Sequence, residues 1–251
     1  MLRWIALALC LALPAQAGEE VVLGLSQDRV AITATFNGSE ILVFGAVKRE
    51  EPIPNEPLDV IVTIAGPAQS LTVRRKEKRF GIWVNTDAVQ VDAAPSFYAV
   101  ATSGPLSDVL TRTEDLRHKI SIPRAIRSVG APMNIANAQS FTDAVIRIRK
   151  ANSSYQLLEE AVAVDQQTLF RTSITLPSNL TEGAYATRIF LTRKGMVISE
   201  LQTTINVNKV GLERWLFNLS REKPLYYGLL SLAIAIAAGW GASAIFRFVR
   251  N

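Results

Sequence analysis

His118 is the residue to begin with, because imidazole is the one side chain whose ordinary pKa lets it exchange protons near neutral pH. It is the sole histidine of the chain, so neither a paired-imidazole metal site nor a Ser–His base exists unless His118 serves alone. Its neighbours Arg117 and Lys119 create a basic setting that suits neither a metal ligand nor a general base. Catalysis there would require an acid such as Glu114 or Asp115 to converge on the ring. The pairs Glu50–Glu51, Glu114–Asp115 and Glu159–Glu160 are ordinary surface carboxylates, with no spacing that suggests a glycosidase or a calcium loop. The chain also lacks a Gly-rich phosphate loop and a nucleophile elbow. The expectation is therefore no catalytic residues, no metal, no cofactor and no enzyme.

Charge is the second resource. Arg74, Arg75, Lys76, Lys78 and Arg79 put five bases into six residues, interrupted only by Glu77. Such a run can bind anionic lipid headgroups or an acidic partner, or it can simply solvate a hairpin tip between the Ser70 and Phe80 strands. Elsewhere the basic excess is modest and scattered, which does not read as nucleic-acid binding.

These groups must be positioned by elements, and the dominant one is Leu225 to Phe246. It holds 22 residues without a charge, and at about 1.5 Å per residue it covers roughly 33 Å, enough to cross the hydrocarbon core of a bilayer. Tyr226, Tyr227 and Phe246 stand where interfacial aromatic belts would lie. Within it Ser231, Ala235, Gly239 and Ser243 recur every four residues, spacing that lets helix backbones approach closely in lipid. A membrane-protein partner, or another copy of the chain, is the expected neighbour of that face. Just before the span, residues 211–223 form an amphipathic stretch, with Trp215 and Phe217 suited either to the headgroup region or to packing beneath the preceding domain.

Residues 1–17 have the three parts of a secretory signal: Arg3, the apolar run Trp4–Leu13, and Ala15-Gln16-Ala17 after Pro14. Cys10, the only cysteine, lies inside it, so the mature chain is expected to carry no thiol and no disulfide. Export followed by a stop-transfer segment gives a single-pass protein of the inner (cytoplasmic) membrane. Its N-terminal domain would be periplasmic and its 247–251 tail cytoplasmic, with Arg247 and Arg250 inside.

The exported part reads as mainly β. Residues 20–104 hold seven or so short strands separated by turn signals, among them Asn37-Gly38 and the Pro52–Pro57 loop, with Phe80-Gly81-Ile82-Trp83-Val84 resuming the apolar pattern after the basic run. That density suggests an immunoglobulin-like β-sandwich. Residues 105–152 change to helical spacing, one helix starting at Pro105 and ending near Ser121-Ile122-Pro123, another starting at Ser140. Residues 153–208 return to alternation, with a hairpin about Arg193-Lys194-Gly195. The expected architecture is two immunoglobulin-like β-sandwich units, a short helical insert and one C-terminal transmembrane helix.

Several stretches carry a resemblance: Leu25-Ser26-Gln27 with Val30–Ala34, Val43-Phe44-Gly45-Ala46, Leu169-Phe170-Arg171 with Leu176-Pro177, and Glu182-Gly183-Ala184-Tyr185. Gly211-Leu212-Glu213-Arg214, Pro224-Leu225-Tyr226-Tyr227-Gly228, Gly239-Trp240 and Phe246-Arg247 continue it. In these the chain resembles a family of alphaproteobacterial transmembrane proteins whose function is not established. The resemblance implies a signal peptide, an exported domain and one C-terminal span, and brings no catalytic residues. It also associates the family with gene neighbourhoods holding sulfite-exporter-like permeases, which makes such a transporter a partner to expect. The functional expectation is a non-catalytic interaction or accessory module. The alternatives are a membrane-anchored periplasmic enzyme built on His118, or a ligand-binding sensor, the latter disfavoured because five residues follow Phe246.

Overall fold

In the computed structural model, which describes residues 19–33, 36–50, 52–127, 139–210 and 212–249, β3 (Ser39–Lys48) shows how the sheets are built. Ile41, Val43, Gly45 and Val47 are buried while Glu40, Leu42, Phe44 and Lys48 are exposed, the period-two pattern of a strand with one covered face. It pairs antiparallel with β1 (Glu20–Leu25) and with β10 (Leu169–Leu176). Phe170 of β10 lies opposite Gly45. A Cβ on Gly45 would come within 2.5 Å of the Phe170 ring and 2.6 Å of the Val22 carbonyl, so this glycine makes the space that the ring fills. β9 (Ala163–Asp165) completes a four-stranded sheet in the order β1-β3-β10-β9.

The larger sheet has the order β2-β12-β11-β4-β7-β8, formed by β2 (Arg29–Ile32), β4 (Asp59–Ala65), β7 (Tyr98–Thr102), β8 (Tyr155–Leu158), β11 (Gly183–Arg193) and β12 (Met196–Lys209). Val60 to Ile64 of β4 and all of β7 are buried, as expected of strands covered on both faces. One face carries Ile61, Tyr98, Val100 and Phe190 into a core with Val109, Leu110, Ile120, Ile122 and Val145. The opposite face buries Val60, Val62, Ile64, Ile189 and Leu191 and matches the covered face of the four-stranded sheet. There β10 touches β7, and Gln156 of β8 donates to the Thr175 carbonyl of β10 at 3.0 Å.

The mainly β character and the single C-terminal apolar helix agree with the sequence reading. The sheets themselves run across the 20–104 and 153–208 tracts: β3 pairs with β10, and β4 with β11. Alternation tells a strand which face to bury but not which neighbour will complete its hydrogen bonds, and here the neighbours come from the other tract.

The parallel β7–β8 pair requires a crossover, and the helices supply it. They are α1 (Leu106–Val109), α2 (Arg112–His118), α3 (Ile122–Ala125) and α4 (Gln139–Ala151). The one helix expected from Pro105 divides instead. Leu110 is extended (φ −144), and the Thr111 hydroxyl caps a new helix by accepting from the Glu114 N–H. Pro123 opens α3 rather than closing its predecessor, since the first helical turn has no hydrogen bond for proline to break. β5 (Ala68–Arg79) and β6 (Ile82–Pro95) form a long two-stranded hairpin of their own.

The chain divides into two compact units, one running to Val30 and from Asn37 to Val207, the other holding Ala31–Phe36 and Asn208–Asn251. Within the second, α5 (Leu212–Glu222) leads to α6 (Pro224–Val249). Their junction keeps helical bonds from Lys223 N to Leu219 O at 3.1 Å and from Tyr227 N to Lys223 O at 3.2 Å. The signal sequence expected at 1–17 with Cys10, residues 128–138, Gly211 and the terminal Arg250-Asn251 lie outside the described residues.

Candidate functional site

Four places among the described residues gather chemistry-bearing side chains or an apolar span. At the end of α2, His118 sits between two carboxylates, with Nδ1 3.1 Å from Glu200 Oε2 and Nε2 3.5 Å from Glu114 Oε2. The helix brings Glu114 there, one turn before His118. Glu200 comes from β12, a partner that sequence spacing could not supply. Each carboxylate is also shared, Glu114 with Arg117 at 2.8 Å and with the Val197 N–H at 3.4 Å, Glu200 with Arg188 at 4.0 Å. Arg188 in turn donates to the His118 carbonyl at 2.8 Å, and the imidazole packs edge-on to Phe190, centroids 5.5 Å apart. Asp115 does not join them. Its carboxylate accepts from the Ile120 N–H at 3.1 Å and from the Ser121 N–H and hydroxyl, both at 2.7 Å, pinning the loop on which Tyr98 closes by donating to the Ile120 carbonyl at 2.8 Å. Burial pushes the Tyr98 phenol up to about 12, and Tyr155, which donates to the Pro95 carbonyl at 2.8 Å, likewise to about 12. The His118 network ties α2 to the sheet through partnered charges.

A second charged cluster lies where β1 begins and β3 and β11 end. Glu19 accepts from Arg193 at 2.8 Å and also from Arg49. Arg193 reaches Gln167 Oε1 at 3.1 Å and the Glu56 carbonyl, while Lys194 pairs with Glu56. Burial alone would raise the Glu19 carboxyl. The hydrogen bonds and charges of Arg193 and Arg49 outweigh it and hold that carboxyl below its ordinary value.

The basic run falls on β5, and its members divide. Arg75 turns inward, bonding Asp87 at 3.4 Å and the Ser140 hydroxyl at 2.9 Å, with its guanidinium 4.7 Å above the Phe141 ring. Arg74 and Lys76 join Arg147 of α4 around a cleft of about 410 Å³. Arg79 pairs with Glu77 at 3.4 Å, and Lys78 lies directly across from Trp83. Of Phe80-Gly81-Ile82-Trp83-Val84, expected to resume a strand, Ile82 onward does so as β6, whereas Phe80 and Gly81 form the turn, and Phe80, Ile82 and Trp83 are all exposed. Phe80 (φ 49) and Gly81 (φ 86) both adopt positive φ, the two-residue turn that favours Asn-Gly or Asp-Gly. Placing a non-glycine residue in the left-handed region costs about 1–2 kcal/mol. The signal in the sequence is the dipeptide Phe-Gly, where its glycine marks the turn and its phenylalanine breaks the usual composition.

The fourth place is α6. From Pro224 to Ser243 it is long and apolar enough to cross a membrane, with a mean hydropathy of 1.5 and none of that stretch buried. Ser231, Ala235, Gly239 and Ser243 are exposed on it, and a Cβ added to Gly239 would meet nothing within 4 Å. Trp215, Leu219, Lys223, Tyr226 and Leu230 line a groove between α5 and α6.

Residues 20–248 match the model of a family described as "Putative transmembrane protein (Alph_Pro_TM)". No curated protein matches the chain.

Proposed function

The chain belongs to this alphaproteobacterial transmembrane family, and from that premise we propose that it is a single-pass inner-membrane protein whose periplasmic β-rich ectodomain acts as a non-catalytic interaction module, an accessory to another membrane protein. The observation that carries the reading is α6, a charge-poor helix of membrane length with no part of its apolar stretch buried. Its small residues Ser231, Ala235, Gly239 and Ser243 offer a shallow surface on which a second helix could pack closely, since packing rather than hydrophobicity drives association within lipid. A transporter of the sulfite-exporter-like kind, or another copy of this chain, fits such a surface.

The closed His118 network supports the non-catalytic side of the proposal. An acid or base that takes part in turnover needs a position from which to reach substrate, whereas the His118 nitrogens face Glu200 and Glu114. The test is affinity capture of the full-length protein in mild detergent beside the triple variant A235L/G239L/S243L. A membrane protein recovered with the wild type and lost with the variant would establish the accessory role. Equal recovery with both would reduce α6 to an anchor and overturn the partnering face.

A further inference from the structure

We propose that the crest of the β5–β6 hairpin is a second membrane contact: Phe80, Ile82 and Trp83 enter the headgroup layer of an anionic bilayer, and Lys76, Lys78 and Arg79 engage its phosphates. The inference rests on the reading that α6 anchors the chain in a membrane, and adds a site on the ectodomain unit.

The crest breaks a local rule without any return inside the molecule. Phe80 occupies the first central position of its turn at φ 49, where a short polar residue or glycine would sit without strain. Its ring is fully exposed, and a Cβ added to neighbouring Gly81 would find nothing within 4 Å. Strain that the fold does not reward points to a contact outside it.

The neighbours say what kind of contact. Ile82 is 64% exposed and Trp83 67%, and the register sets Arg79 across from Ile82 and Lys78 across from Trp83. Ile82 and Trp83 are thus each paired with a cation. Aromatic rings settle at the headgroup level of a bilayer, and long basic side chains reach from apolar surroundings to the phosphates. Anionic lipid adds a direct attraction for each base near its surface.

Charge selects this occupant over a second copy of the chain. Residues 74–79 hold five bases and the single acid Glu77, already bonded to Arg79, so two crests would repel. The space about Gly81 is open and its neighbours Phe80 and Ile82 are exposed, which suits entering a surface rather than enclosing a ligand. Because an anchored chain holds the bilayer close, three apolar side chains suffice for a contact that would be weak for a free protein.

The test exploits the absence of cysteine after the signal sequence. Cys10 is the only one in the chain, so Ile82→Cys made together with Cys10→Ser introduces a unique thiol, to be labelled with an environment-sensitive fluorophore. The full-length protein is reconstituted into nanodiscs of phosphatidylcholine alone or mixed with phosphatidylglycerol, with Thr72→Cys on exposed mid-β5 as the reference position. The expected result is a blue shift and loss of iodide quenching at position 82 in anionic discs, absent at position 72, and reversed by high salt or by K78E/R79E. A label at position 82 that stays equally wet in all discs, while the protein remains in them, overturns the crest contact and leaves the anchor standing. Protection in native membranes but not in pure lipid overturns the bilayer as occupant in favour of a protein. Failure of the chain to enter discs at all removes the anchor reading, and this inference with it.

Discussion

β11 turns into β12 through Lys194 and Gly195, and β5 turns into β6 through Phe80 and Gly81, with both central φ angles positive in each turn. An arginine precedes the turn in both. There the likeness ends. Arg193 is 8% exposed and held by Glu19, Gln167 and the Glu56 carbonyl, and a Cβ on Gly195 would stand 2.9 Å from Thr111 Cγ2 and 3.1 Å from its nitrogen. Arg79 is 62% exposed and pairs with Glu77, and the space about Gly81 is open. The same turn serves as an internal joint in one hairpin and as an external surface in the other. Backbone geometry sets the turn, and the residues placed on it reveal whether it faces the fold or something beyond.

The largest expected contrast comes from truncating the two arginines. Arg193→Ala leaves Glu19 and the Glu56 carbonyl short of their shared donor, and breaking such a buried pair costs about 3–5 kcal/mol. Arg79→Ala should stay within about 0.5 kcal/mol, as solvated surface changes do. Denaturant unfolding of the two variants in the same detergent measures the difference, and similar values for both would dissolve the distinction between joint and surface. The glycines give a smaller contrast. Gly81→Ala carries only the left-handed penalty of about 1–2 kcal/mol, whereas Gly195→Ala adds the collision with Thr111 and should lower the melting temperature further.

The sequence carried the elements better than their neighbours. The alternation of Leu169 to Leu176 and the apolar run Val60 to Ile64 announced strands, and the uncharged run after Lys223 announced the long helix. Which strands meet was hidden, because the Phe170–Gly45 complementarity joins residues far apart in the chain and leaves no periodic trace. The site was legible only in part. The basic run of β5 stands out in any reading, and Glu114 is one helical turn from His118. Glu200 reaches His118 only through the sheet, and the exposure of Ile82 and Trp83 was masked because an apolar residue at a free tip reads like one in a core strand.

Acid acts on the internal joint through Glu19, and alkali acts on the buried tyrosines of the larger sheet. The Glu19 carboxyl titrates below its ordinary 4.5 in the folded protein. The unfolded chain therefore binds its proton first as pH falls, so the stability from Glu19 is present above about 4.5 and is lost as pH drops through the folded value. Glu19→Gln should be less stable at neutral pH, and its deficit should shrink in acid. The tyrosines work in the other direction. Tyr98 and Tyr155 stay protonated to about 12 against an ordinary 10, so their contribution is complete below 10 and is lost as pH rises toward 12. Tyr98→Phe should flatten that alkaline loss, and stability measured from pH 9 to 12 checks it.

The smallest effect is the most discriminating, because its sign is unusual. Phe80→Asn places at φ 49 a residue that tolerates the left-handed region, and it removes no packing from a side chain that is fully exposed. The fold should gain by up to about 1 kcal/mol, the range in which turn corrections fall, while the crest loses its foremost ring. Lys194→Asn at the matching position of the other turn gains the same backbone ease but gives up the ion pair with Glu56, so the two should nearly cancel. A melting temperature raised by Phe80→Asn and unmoved by Lys194→Asn would mean that the surface turn keeps its phenylalanine against the interest of the fold. A fall in melting temperature for Phe80→Asn would mean instead that the ring supports the hairpin itself, and its exposure would then carry no message about what lies outside.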